Sequence, residues 1–207
     1  MKTLFFPNDL INENDINQAA LLLKQGQIVA FPTETVYGLG ALIYNDKALM
    51  EISKLKGRQG SKALTVHLSN IDDVSLVAEN IPDCFYKIAD KFFPGPLTVL
   101  LKKKNTVSSL VSKNDKVGVR IPSCDIALKL IEKVGAPIVG TSANLSSSLP
   151  LTTGKDVYAF FKGKIAAVLD GGICDIGYSS TVVDLTSKEP VILREGIITL
   201  DEIMHSF

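Results

Sequence analysis

The sequence predicts a single α/β domain built on a twisted, mostly mixed β-sheet flanked by helices. Three observations carry that expectation. Short runs rich in β-formers alternate with stretches of helical periodicity along the whole chain. No internal repeat or low-complexity linker interrupts them. The length, 207 residues, suits one substantial core, and 46% hydrophobic against 21% charged residues supplies the apolar area to bury.

The elements follow in order. Asp15 is placed to cap a helix whose apolar stripe is Ile16, Ala19, Ala20 and Leu23, with Gly26 as its stop. Residues 27–31 form an apolar strand that runs into Pro32 and then Thr33-Glu34-Thr35. Asn45 or Asp46 caps a second helix carrying Leu49, Ile52 and Leu55, with Gly57 just beyond. Residues 64–68 alternate as a strand, with Leu64, Val66 and Leu68 on one side and Thr65 and His67 on the other. Pro82 opens a helix reaching Phe92 or Phe93, and Pro94-Gly95-Pro96 breaks the chain before a strand at 97–101. Val117, Val119 and Ile121 alternate with Gly118 and Arg120. A helix is expected over 125–134, and a strand at 137–140 empties into Thr141-Ser142-Ala143-Asn144. Later strands are expected at 165–169, 181–185 and 191–193, with a short helix from Asp201. Polar residues gather at strand ends and on single strand faces, a pattern that suits a cavity lined by a sheet.

Composition narrows the function classes. Acidic and basic side chains number 22 each, which argues against coating nucleic acid by bulk charge while leaving room for a local basic pocket. Cys84, Cys124 and Cys174 are odd in number and far apart, without a CxxC pair, so reduced thiols are expected rather than a disulfide framework or zinc site. No stretch approaches a membrane span, and the N-terminal apolar patch is too short for a signal peptide. The protein is therefore expected to meet its ligands in the cytoplasm.

Candidate chemistry sits at a few places, each with a plainer reading beside it. Lys56-Gly57-Arg58 closes a helical pattern, where basic residues and a Gly stop are common, but Ser61-Lys62 follows and makes a compact cationic loop that suits a triphosphate. Neither Lys56 nor Arg58 is expected in the core. Residues 141–144 serve either as a turn or as hydroxyl and amide donors. His67 is one of two histidines, and strand histidines are usually structural or exposed. Arg120 lies between two inward aliphatics, which ordinarily marks the solvent face; a buried position would demand a paired anion, a role a substrate carboxylate would fill. For Arg194 the plain reading is a salt bridge to Glu195 or a neighbour. There is no GxxxxGK[ST] loop, no GxGxxG with its acidic partner, no HExxH and no GxSxG elbow. ATP, if used, is handled by an uncommon route.

Several segments carry a family resemblance: Phe31-Pro32-Thr33-Glu34-Thr35-Val36-Tyr37-Gly38-Leu39-Gly40, Lys56-x-Arg58, Phe93-Pro94-Gly95-Pro96-Leu97-Thr98, Val117-Gly118-Val119-Arg120-Ile121-Pro122, Ser142-x-Asn144 and Ser180-Thr181-Val182-Val183-Asp184. Together they resemble the YrdC/Sua5 family, also called TsaC, the threonylcarbamoyl-AMP synthases, from about Ile16 to Gly196. The chain departs from the family's usual pattern beside the matched positions, at Gln59, Ala63, Ser146-Ser147-Ser148-Leu149-Pro150 and Glu195, which bears on loop shape and affinity. The resemblance implies a YrdC-like (DHBP synthase-like) fold with a basic central cavity, as one domain over 1–207 in the short form without an added C-terminal domain. It implies a nucleotidyltransferase that converts L-threonine, bicarbonate and ATP, usually with Mg2+, to threonylcarbamoyl-AMP and pyrophosphate. That product would serve N6-threonylcarbamoyladenosine modification of tRNA at position 37, through a downstream transferase complex and with weak direct tRNA binding. By position, Lys56 and Arg58 would be catalytic. Lys56, Arg58, Ser142, Asn144, Arg194 and, less strongly, Lys116 would hold ATP. Thr33, His67, Arg120, Thr141 and Ser180 would surround threonine, and no residue set is assigned to a metal. A nucleic-acid-binding module, a carbamoyl-transferring enzyme and a purely structural subunit are the competing readings.

Overall fold

The computed structural model describes residues 2–57, 63–145, 148–187 and 189–206. The strands are β1 (Leu4–Phe6), β2 (Val29–Phe31), β3 (Gly38–Leu42), β4 (Thr65–His67), β5 (Leu97–Lys102), β6 (Lys116–Arg120), β7 (Ile138–Ser142), β8 (Ala167–Leu169), β9 (Thr181–Asp184) and β10 (Val191–Arg194). The helices are α1 (Glu13–Lys24), α2 (Asp46–Leu55), α3 (Val74–Val77), α4 (Asp83–Phe92), α5 (Asp125–Val134), α6 (Gly154–Phe161) and α7 (Leu200–Met204). The strands join in one mixed sheet of order β1-β8-β2-β3-β7-β4-β6-β5-β9-β10. β1 and β2 pair parallel to β8, β4 to β6 and β5 to β9, while the other neighbours are antiparallel. The expected α/β architecture is thus present.

The alternation expected for β4 and β6 divides the sheet. On one face Val66, Val119, Val139 and Val99 join a large core with Leu49 and Ile52 of α2, Phe85 and Ile88 of α4, and Val157 and Phe161 of α6. On the other, α1 and α5 bury Ala19, Leu23, Leu130 and Ile131 against Phe31, Ile138 and Leu169. Those two helices cover only part of this second face; the rest is where β4 and β6 present His67 and Arg120, which lie opposite each other in register.

Several boundaries moved. α1 starts earlier than expected: Asn12 is its cap, accepting from the amides of Asn14 and Asp15, and Asp15 returns a bond to the Asn12 amide as the far side of a capping box. α2 is capped by Asn45, whose side chain accepts from Ala48 N at 3.0 Å. α5 spans the expected residues and ends on Gly135 at φ 69°, a left-handed position that glycine adopts without strain. β7 runs two residues further than expected, so Thr141 and Ser142 belong to the strand. Strands β1 and β3 and helices α3 and α6 were not expected. β3 reads Gly-Leu-Gly-Ala-Leu, a poor strand former by propensity; a Cβ at Gly40 would lie 2.9 Å from the Phe31 ring, so the glycine lets that ring cross the strand.

Candidate functional site

The uncovered part of the second face floors a cavity of about 390 Å3. β4 contributes Thr65 and His67, β5 Thr98, β6 Arg120, β7 Gly140, Thr141 and Ser142, and β10 Arg194. The loop after β2 supplies Thr33, Thr35 and Tyr37, the end of α2 supplies Lys56, and the segments before β9 and after β7 supply Ser179, Ser180 and Asn144. Residues from distant parts of the sequence therefore meet because β7, β4, β6 and β5, which are neighbours in the sheet, bring their residues to the same cavity.

One end of the cavity is built on Lys56. Its side chain is 2% exposed, which corrects the expectation that it lies outside the core. Its Nζ donates to the Ser142 carbonyl, and to the carbonyl and Oδ1 of Asn144, both at 2.9 Å. Ser142 Oγ donates to Asn144 Oδ1 at 2.6 Å, and Asn144 Nδ2 donates to the Ser148 carbonyl at 2.5 Å. One ammonium thus clamps the turn that follows β7. Arg58 and the rest of the expected cationic loop, Ser61-Lys62, lie outside the described residues.

Arg120 anchors the other end, 5% exposed rather than on a solvent face. The buried position demands an anion, and the protein supplies one: Arg120 Nη2 donates to Glu34 Oε1 at 2.8 Å and to Thr35 Oγ1 at 2.9 Å, and Nε donates to the Gly95 carbonyl at 3.2 Å. The hydroxyls of Thr33 and Thr35 are 2.8 Å apart. Thr33 commits its proton to the Val36 carbonyl at 2.6 Å, so Thr35 donates to Thr33 and accepts from Arg120. That chain fixes the turn after β2.

His67 stands between the two ends. A Cβ at Gly140 would approach its ring to 2.4 Å, so only glycine there lets the imidazole lie across β7. The Phe31 ring meets it edge-on, with centroids 5.7 Å apart. Burial, helped by the charge of Arg120, pushes the imidazole down to about 3, so it is neutral near pH 7. Its Nδ1 is buried with no hydrogen-bond partner among the described residues.

On the far wall Ser180 Oγ lies 2.8 Å from Thr98 Oγ1. Arg194 donates from Nε to the Ser180 carbonyl at 2.9 Å and from Nη2 to Ser180 Oγ at 3.2 Å. No bridge from Arg194 to Glu195 forms among the described residues. Burial, and then the neighbouring charge of Arg120, lower the Arg194 guanidinium from its ordinary value.

Thr33, Lys56, His67, Arg120, Thr141, Ser142, Asn144, Ser180 and Arg194 all line this cavity. Lys116 does not join them. It begins β6 at the opposite end of that strand and pairs with Asp184 at 2.6 Å, beside a separate depression walled by Asn80, Lys102 and Thr186. Burial opposes ionisation of Asp184, but the bonds from Lys116 and Thr186 outweigh it and hold the carboxyl below its ordinary value. Sequence reasoning missed Glu34, Thr35, Thr65 and Thr98. Thr98 had a signal, since it alternates with Leu97 and Val99 as Arg120 does with its neighbours. No group of three or more His, Cys, Asp or Glu that would hold a metal ion exists among the described residues. None of their helices is long and apolar enough to cross a membrane.

Fold and cavity define an α/β protein whose sheet floors a cavity walled by hydroxyls and cationic side chains. A profile of the Sua5/YciO/YrdC family, described as telomere recombination, matches residues 21–196, and the chain belongs to that family. It is 42% identical over 194 residues to a threonylcarbamoyl-AMP synthase of Pyrococcus abyssi, covering 93% of this chain and 57% of that protein. A Bacillus subtilis protein of the same name is 39% identical over 194 residues, covering 93% of this chain and 56% of its own length. The crystal structure of P. abyssi Sua5 complexed with L-threonine superposes with a TM-score of 0.94 at 40% identity, covering all of this chain and 61% of that one. The chain thus spans somewhat over half the length of these relatives.

Proposed function

We propose that this protein is an L-threonylcarbamoyladenylate synthase: it condenses L-threonine, bicarbonate and ATP into threonylcarbamoyl-AMP and pyrophosphate, the adenylate then serving threonylcarbamoyl transfer to tRNA. The observation that carries the reading is the two-ended cavity, with a lysine-clamped turn at one end and the Arg120 cluster at the other, in a chain 40% identical to a protein solved with L-threonine. Arg120, His67, Thr33, Thr141 and Ser180 form the threonine end. Lys56, Ser142, Asn144 and Arg194 form the nucleotide end, with Arg58 two residues beyond Lys56 in sequence. Lys116 is a remote candidate, since its partner is Asp184.

The threonine amine adds to bicarbonate with loss of water, giving an N-carboxylate. One of its oxygens attacks the α-phosphorus of ATP, and the bond to the β-phosphate oxygen breaks as pyrophosphate leaves. Bringing two anions together is the difficulty. Lys56, Arg120 and Arg194 are among the described lining residues, and the one carboxylate paired with them, Glu34, lies behind Arg120 and not in the lining, which supports a basic cavity able to offset that repulsion. Hydroxyls and the fixed turn orient the reactants. His67 stays neutral and orients; with its basicity this low it is a poor proton acceptor. The described residues do not fit a protein-held metal, so any Mg2+ enters with the triphosphate as part of the substrate.

Pyrophosphate release from MgATP by the purified protein tests the proposal, with threonine and bicarbonate together and each omitted. Release requiring both is expected. Release that ignores threonine would replace the synthase with another adenylating or hydrolytic activity. Salt-sensitive RNA binding without release would move the reading to a binding module.

A further inference from the structure

The cavity holds two guanidinium groups in unlike electrostatic states. Arg120 is paired with Glu34 at 2.8 Å, and both side chains are only 7% exposed. Arg194 bonds only to the carbonyl and hydroxyl of Ser180, with no carboxylate in bridging range among the described residues. Anchoring alone does not call for Glu34, because Thr35 and the Gly95 carbonyl already hold two edges of the Arg120 fork. The carboxylate is moreover costly to keep: its second oxygen, Oε2, is buried with no hydrogen-bond partner among the described residues. A charge kept at such cost behind a cationic residue of the cavity wall points to a task performed on the ligand through Arg120.

We infer that Glu34 is a specificity residue that neutralises Arg120, so that this end of the cavity accepts a zwitterionic amino acid and turns away phosphate and pyrophosphate. The inference rests on the two-ended reading above. An amino-acid zwitterion carries no net charge and is held by directed hydrogen bonds. Arg120 Nη1 makes none of the bonds described and keeps its donors for a carboxylate. A phosphate group depends on net field to repay its desolvation, and beside a neutral Arg–Glu pair that field is largely cancelled. Arg194 has no such carboxylate partner among the described residues, so a phosphate group is drawn to Arg194 rather than to Arg120, and pyrophosphate does not settle on the guanidinium that the threonine carboxylate must reach.

The test is calorimetric titration of threonine with and without pyrophosphate, in the parent, in Glu34→Gln and in Glu34→Asp. Gln keeps an oxygen acceptor for Arg120 and removes the charge; Asp keeps the charge. In the parent and in Glu34→Asp, pyrophosphate is expected to leave threonine affinity unchanged. In Glu34→Gln it is expected to weaken threonine binding tenfold or more, as a competitor. A Glu34→Gln protein indifferent to pyrophosphate overturns the inference. So does competition between the two in the parent, a result that needs no variant to fold. A parent that binds no threonine at all defeats the proposed function itself, and the inference with it.

Discussion

At the scale of single residues, Lys56 shows how one side chain serves structure and site together. Its ammonium satisfies three buried or half-buried oxygens of the turn after β7. Replacing it with Met keeps the stem but leaves those acceptors unmet, at roughly 2–3 kcal/mol. For a chain of this length the expected fall in Tm is roughly 5–10 °C, read by calorimetry, together with loss of pyrophosphate release. His67 gives a prediction in pH. Its folded value, about 3, lies below that of the unfolded chain, near 6.5, so between the two the unfolded state binds more protons. The contribution to stability is full above pH 6.5 and is lost as pH falls toward 3, with a slope of about 1.4 kcal/mol per pH unit. Urea unfolding at stepped pH should show that slope in the parent and a flatter profile in His67→Gln. A profile identical in both would mean that His67 takes up its proton as readily in the folded protein as in the unfolded chain.

At the scale of elements, capping and periodicity were legible, and non-local pairing was not. α5 matched its expected bounds because an acidic first turn, a regular apolar stripe and Gly135 all mark it. Gly135→Ala should cost about 1 kcal/mol, since the position needs a positive φ and nothing crowds it. Asn12→Ala should cost about as much by removing the α1 cap that sequence reading had placed at Asp15. Both are measurable as shifts in chemical-denaturation midpoint with unchanged slope. β3 stayed hidden because its glycines are poor strand formers and what holds it extended is pairing with β2 and β7, with the Phe31 ring lying against those glycines, none of which local propensity encodes. The same holds for the site. Arg120 and His67 were legible as polar residues on apolar strands. That a partner for Arg120 would come from Glu34 depends on how the turn after β2 folds against β6.

At the scale of the whole molecule, the sheet is the means by which a site spread from Thr33 to Arg194 converges. Ligand should therefore stabilise the fold globally. At a hundredfold excess over Kd, threonine is expected to add about 2.7 kcal/mol to the unfolding free energy, visible as a concentration-dependent Tm. An unchanged Tm at saturating threonine would show that the folded and unfolded chains bind it alike, or that it does not bind.

The last strand carries one consequence of its own. β10 lies at the sheet edge, hydrogen-bonded to β9 alone, with a register shift between Ile192 and Arg194. Edge strands with a single neighbour are among the first to open in native-state amide exchange. When β10 opens, Arg194 departs while the sheet centre stays closed, so the cavity loses one wall without the protein unfolding. Bound nucleotide would then slow exchange in a strand far from most of its contacts, and the lifetime of the complex would be set in part by how often one short edge strand lets go.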